Sequence, residues 1–169
     1  MYKATQLVMA MLLMAGTALA DDAVAPPESM CGIVKQLVAG HHNGFKELRG
    51  NHANTRYGDI WKAKYDVIGK DCEIWRSGNV KTHYVCTRSA PSKEVADDYY
   101  NEARQTLREC LDKDWSETDA PRKLATGVKA TFSRPGEQAA IEIHEIKVDG
   151  IFKDQWTIYY IVGEPTEKL

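Results

Sequence analysis

The sequence predicts an α+β domain in the order helix, three strands, helix, three strands: a mostly antiparallel sheet with helices on one face, stapled by disulfides. Three observations predict it. Two segments, opening near Ser29 and Ser92, repeat apolar residues at three- and four-residue steps, the period of a helix with one buried stripe. Between and after them, short runs rich in β-branched and aromatic residues alternate with polar ones and are punctuated by Gly, Asn and Pro, as half-buried strands joined by turns are. Finally, all 4 cysteines fall within the stretch that covers the first helix, a hairpin and the second helix.

At the start, residues 1–20 hold one basic residue, Lys3, an apolar run from Leu7 to Met14, and small residues ending in Ala18-Leu19-Ala20. That is the composition of a secretory signal peptide cut before Asp21. Gly16, Thr17 and the acidic pair Asp21-Asp22 close the apolar run too soon for a membrane anchor. A periplasmic or secreted location follows, and in such an oxidising compartment four cysteines imply two disulfides. Residues 21–28, with Pro26-Pro27, read as a flexible leader, 29–164 as a single domain and 165–169 as a tail. The domain is long enough to bury a real core without metals.

In the first helix, Cys31, Val34, Val38, His41, Phe45 and Leu48 form the stripe, widened by Ile33 and Leu37. Gly40 and Gly44 weaken its middle and bend it or end it early. Arg49 to Asp59 is rich in Asn and Gly and reads as a loop. Trp61, Ala63, Tyr65 and Val67 then alternate with Lys62, Lys64 and Asp66 as a strand. Next comes a hairpin, in which Glu73 to Arg76 and Lys81 to Val85 flank Ser77-Gly78-Asn79. A two-residue turn would set Cys72 and Cys86 on opposite faces. An odd loop centred on Asn79 instead places Cys72, Ile74, Tyr84 and Cys86 on one apolar face, and leaves Glu73, Trp75, Lys81 and His83 on the other. The odd loop is preferred, so Cys72 pairs with Cys86, which leaves Cys31 to pair with Cys110. No C-x-x-C spacing supports the rival reading, a metal site.

The second helix takes Ser92 as its N-cap and buries Val95, Ala96, Tyr99, Tyr100, Ala103, Leu107, Cys110 and Leu111. Asp97, Asp98, Glu102, Arg104, Arg108 and Glu109 fill the other side, which reads as solvated. Asp114 to Arg122 reads as a polar loop. Val128 to Phe132, Ala139 to Val148 and Trp156 to Val162 are the last strands, with a turn at Pro135-Gly136 and a loop opening at Asp149-Gly150. Both faces of the final strand are apolar, so it belongs at the centre of its sheet.

This element order, with Cys72, Tyr84-Val85-Cys86 and Cys110-Leu111, resembles small exported bacterial α+β proteins, among them immunity proteins that bind and block toxins delivered by neighbouring cells. It is also similar in plan to type III secretion chaperones, which are cytosolic and so do not match the export signal. The resemblance implies a protein partner, a toxin or an enzyme.

The formal net charge of −2 argues against nucleic acid as a partner, and no basic amphipathic helix points to a membrane surface. No G-x-S-x-G or H-E-x-x-H motif, Gly-rich phosphate loop, EF-hand or haem attachment pattern occurs, so no cofactor and no metal are expected. His144 shares a strand face with Glu142, and a hydrolase using that pair is the least favoured reading beside ordinary surface residues. Trp75, Lys81 and His83, grouped on the hairpin face away from the core, are the candidate partner contact. The function expected is a non-enzymatic, exported binding protein, most specifically an immunity or inhibitor protein. A periplasmic binder of a small molecule or envelope component is the alternative.

Overall fold

The computed structural model describes residues 29–55, 58–69, 71–77, 81–149 and 155–165. The expected signal peptide and leader, the Gly78-Asn79 turn and most of the 165–169 tail lie outside them.

Helix α1 (Met30–Gly40) begins at Ser29, whose side-chain oxygen accepts the Gly32 N–H at 3.1 Å. It ends at Gly40, and two 3-10 turns, His41–Asn43 and Lys46–Leu48, carry the chain on. Between them Gly44 and Phe45 both take left-handed conformations, at φ 69 and 60. Phe45 pays strain for this, because its Cβ crowds the backbone there, but the turn drives its ring into full burial. Its stripe position is thus filled by a turn and not by a continued helix. Helix α2 (Lys93–Cys110) starts at Ser92, which caps the Val95 N–H at 3.4 Å.

Among the described residues eight strands follow the chain: β1 (Arg49–Thr55), β2 (Gly58–Ala63), β3 (Glu73–Ser77), β4 (Lys81–Ala90), β5 (Ser116–Pro121), β6 (Gly127–Ser133), β7 (Ala140–Val148) and β8 (Gln155–Gly163). They form one sheet in the order β1-β2-β3-β4-β8-β7-β6-β5, with every pair antiparallel. Two four-stranded meanders, one on each side of α2, therefore zip together along β4 and β8.

This corrects the expected helix, three strands, helix, three strands. Four strands lie between the helices and four follow them, and the fold is mostly sheet. The missing strands, β1 and β5, are the two edges. Each has the sequence of a loop because an edge strand needs no apolar alternation and is protected by residues that discourage further pairing. In β1 these are Asn, Gly and His, and in β5 they are Glu117, Asp119 and Pro121. Nor do the helices layer a face of the whole sheet as expected. Their principal contacts are α2 with β4, β7 and β8, and α1 with α2 and β8. The strand expected to run through Val67 ends at Ala63, and residues 64–69 turn back instead. Gly69, at φ 69, brings this segment against β4 so closely that a Cβ would lie 2.2 Å from the Thr87 carbonyl oxygen.

In the β3–β4 hairpin Ile74 faces Tyr84 and Trp75 faces His83, the odd-loop register. Cys72 is bonded to Cys86, with Cα atoms 4.1 Å apart, and Cys31 to Cys110, at 4.7 Å. The core lies under the helices, where Tyr84, Cys86, Ile141, Ile143, Ile158, Tyr160 and Val162 meet Ala96, Ala103 and Leu107. β8 is central, and it buries Ile158, Tyr160 and Val162 on one face and Ile161 on the other. Among the described residues no helix is long and apolar enough to cross a membrane.

Candidate functional site

Because the helices lie mainly against β4, β7 and β8, strands β1–β3 extend beyond them as a wing. Cross-strand register fixes what this wing shows. His52 stands opposite Trp61, Trp61 opposite Ile74, and Asp59 opposite Arg76. In antiparallel strands opposite residues share a face, and so do residues two apart, so all five point to the same side as Tyr84.

The half-buried Trp61 ring is the centre of this cluster. The Arg49 guanidinium carbon lies 3.8 Å from the ring centroid and that of Arg76 5.3 Å, both within cation–π range. The His52 ring lies 5.0 Å away, tilted by 31°. Arg49 is positioned by two hydrogen bonds that it donates to the Gly44 carbonyl, at 3.1 and 2.7 Å. The left-handed turn after α1 therefore aims a cation at the wing. Asp59 accepts from Arg76 and lies 3.1 Å from His52 Nε2; these hydrogen bonds hold its carboxyl below the usual carboxylate range. The result is an aromatic ring with two guanidinium groups within cation–π range of it, one of them, Arg76, 48% exposed. Sequence reasoning missed it, since β1 carries no apolar alternation and its pairing with β2 includes a register shift between Arg49 and His52.

Trp75, Lys81 and His83, the residues expected to contact a partner, lie on the opposite face of the sheet, Trp75 on β3 and the other two on β4. Trp75 and His83 are directly paired, and Lys81 is two residues from His83. Each is held within the protein. The Trp75 indole N–H donates to Glu73 at 2.7 Å, Lys81 is ion-paired with Glu164, and His83 Nε2 lies 3.0 Å from the Glu164 carbonyl oxygen. The His83 ring also lies over Gly163, where an added Cβ would come within 2.4 Å of it.

His144 and Glu142 occupy β7 and are buried, at 0% and 2% exposure, not on the surface. Their register neighbours are Lys129, Tyr159, Thr131 and Ile161. Arg122 donates to His144 Nδ1, so that nitrogen is the acceptor and the ring proton sits at Nε2, which faces Glu142 Oε2 at 3.4 Å. Glu142 in turn accepts from Lys129 and Thr131, each at 3.3 Å. This is a buried polar network in which both imidazole nitrogens face protein groups, and it gives a substrate no approach to the ring. It links β6 to β7 through Lys129 and Thr131. Among the described residues no group of three or more His, Cys, Asp or Glu is placed to hold a metal ion.

No family model, no curated protein and no solved structure matches this chain.

Proposed function

We propose that the protein is an exported, non-enzymatic binding protein whose partner is another protein, in the most specific form a toxin or enzyme that it neutralises in the periplasm. The observation that carries this reading is the Arg49–Trp61–Arg76 stack on a wing that stands clear of the helices. Tryptophan and arginine are the residue types that dominate binding energy in protein interfaces, and they do so where a ring is already half shielded and ordered before the partner arrives. Here the Gly44 carbonyl, Asp59 and the strand register hold the cluster in place without a partner. A partner that brings carboxylates to the two guanidinium groups would form charge-assisted hydrogen bonds while covering the indole. Trp75, on the reverse of the wing, is the second aromatic of the contact, with Lys81 and His83 as its rim.

The test is titration, with the mature protein, of the toxin or enzyme that it captures from periplasmic extract. Stoichiometric inhibition is expected, weakened about thirtyfold by Trp61→Ala, as for a hot spot of about 2 kcal/mol. Catalytic rates unchanged at saturating protein, with no complex on a sizing column, would overturn the reading. Equal loss from Trp61→Ala and Trp75→Ala would show a partner that wraps the wing, and loss from Trp75→Ala alone would move the contact to the reverse face.

A further inference from the structure

The two edges of the sheet differ. β5 is guarded: Arg104 and Arg108 of α2 pair with its Glu117, Arg104 also pairs with Asp119, and the strand ends in Pro121, which has no N–H to offer. β1 has neither a proline nor an acidic residue, and its Asn51, His52 and Ala53 are exposed. Among the described residues β2 is its one strand neighbour. An edge of this kind is a template for a strand from another chain. Register shows which backbone groups it offers. Thr55 and Gly58 stand opposite each other with two residues between them, so they form a hydrogen-bonded pair, and alternation makes Ala53 and Ile60 the next one. The N–H and C=O groups of His52 and Asn54 therefore point away from β2. The register shift before His52 ends this regular stretch. The edge is short, and side chains must add to what the backbone supplies.

The two faces of β1 call for different side chains. On one, His52 stands opposite Trp61, and Arg49 lies over the Trp61 ring. Arg49 bonds the Gly44 carbonyl and has no carboxylate at ion-pair distance among the described residues, while Asp59 is taken up by Arg76 and His52. Burial and the charge of Arg76 press the Arg49 pKa down, against the weaker pull of Asp59 and Glu47. Positive charge is in excess here, and an arriving carboxylate would balance it. On the other face, Ala53, Ile60 and Trp75 form a row across β1, β2 and β3, the last two half-buried, which an apolar side chain would extend. We infer that β1 is a docking edge for an extended segment of the partner protein, added as a further strand with carboxylates on the His52 side and apolar side chains on the Ala53 side. This rests on the proposed protein partner and names how that partner is held.

The probe is the capped peptide Thr-Glu-Val-Glu-Val-Glu-Val-Thr, titrated into the intact protein and followed by amide chemical shifts and hydrogen exchange. Shifts centred on β1 are expected, with exchange slowed at the His52 and Asn54 amides. The same peptide with lysine in place of glutamate should bind about tenfold more weakly, and a fully N-methylated version should not bind. Asn54→Pro removes an outward N–H and breaks no bond to β2, so it should abolish peptide binding; if this variant fails to fold, the N-methylated peptide still decides. Equal affinity for the glutamate and lysine peptides, binding that survives N-methylation, or no binding at millimolar peptide would overturn the inference. So would a wild-type protein that dimerises on a sizing column unless it carries Asn54→Pro, since a second copy would then occupy β1. Inhibition of the captured enzyme that Asn54→Pro leaves intact would overturn strand addition and spare the proposed function. Peptide binding as described, with no enzyme inhibited, would support strand addition and overturn the proposed function.

Discussion

Removing the Cys31–Cys110 bond by a double change to serine should cost about 4 kcal/mol. The two residues are 79 apart in sequence, and in the chain-entropy model a closed loop of that size removes about 4.5 kcal/mol of freedom from the unfolded chain. For Cys72–Cys86, with a separation of 14, the same relation gives only about 3 kcal/mol. For a domain of this length each kcal/mol moves the midpoint by roughly 2–4 °C, so the first double variant should melt about 10–15 °C lower. Urea titration at 10 °C is the assay, with partner affinity measured at the same temperature. The denaturant slope should rise, because the opened chain exposes more surface on unfolding. Affinity should not change, since α1 and α2 still pack together in the folded protein. A drop of less than about 3 °C with an unchanged slope would refute the unfolded-chain account. Lost affinity in a variant that remains folded would assign these cysteines to function.

Glu117 accepts from Arg104 and Arg108 at 2.6 Å each; burial pushes its carboxyl up, but the two arginines outweigh this and hold it below the usual range. A depressed folded value means stability that is complete above the unfolded value, near pH 4.5, and is lost as pH falls through the folded one, so Glu117→Gln should flatten the acid limb of a stability–pH curve. The same change should cost about 2 kcal/mol at pH 7, read by urea denaturation. At Phe45, the left-handed backbone reverses a familiar order: Phe45→Gly should be less destabilising than Phe45→Ala, because both lose the ring but only glycine also relieves about 1–2 kcal/mol of strain. Equal midpoints for the two variants would contradict the assigned backbone. Arg122→Ala strips the donor from His144 Nδ1 and should lower stability by about 1–3 kcal/mol without altering partner affinity, as measured by paired melting and binding assays.

What the sequence revealed depended on whether neighbours along the chain were also neighbours in space. The hairpin was legible because an odd loop and a period of two place Cys72, Ile74, Tyr84 and Cys86 on one side without reference to anything else. Both helix starts were legible from single serine caps. The centrality of β8 could be read from apolar residues on both faces. The edges could not, because β1 and β5 carry the Asn, Gly, Asp and Pro that also make loops. The site was hidden for the same reason: Arg49 and His52 lie on β1, and their meeting with Trp61 and Arg76 depends on a pairing that the sequence does not announce. His144 and Glu142 looked like solvent-facing residues of an alternating strand. Their burial depends on Arg122, Lys129 and Thr131, which come from other segments and whose charges and hydroxyl suit them to a polar interior.

The pairing of the cysteines also bears on how the molecule is made. Along the chain they come in the order Cys31, Cys72, Cys86, Cys110, and the bonds are nested, first with last and the middle two together. A chain that enters an oxidising milieu N-terminus first presents Cys31 and Cys72 as its earliest thiols, so an indiscriminate oxidant would join the wrong two. Reaching the native pattern then requires thiolate attack on that early bond, a reshuffling that takes seconds to hours without help. The inner pair can close as soon as the β3–β4 hairpin forms, and the outer pair only after α2 is complete. All four cysteines precede β5–β8 in the chain, so β4 must wait with an open edge for β8, the last strand to arrive. A cell lacking disulfide isomerase should accumulate this protein as a mixed population that is trimmed by proteases, even though every contact of the finished fold is unchanged.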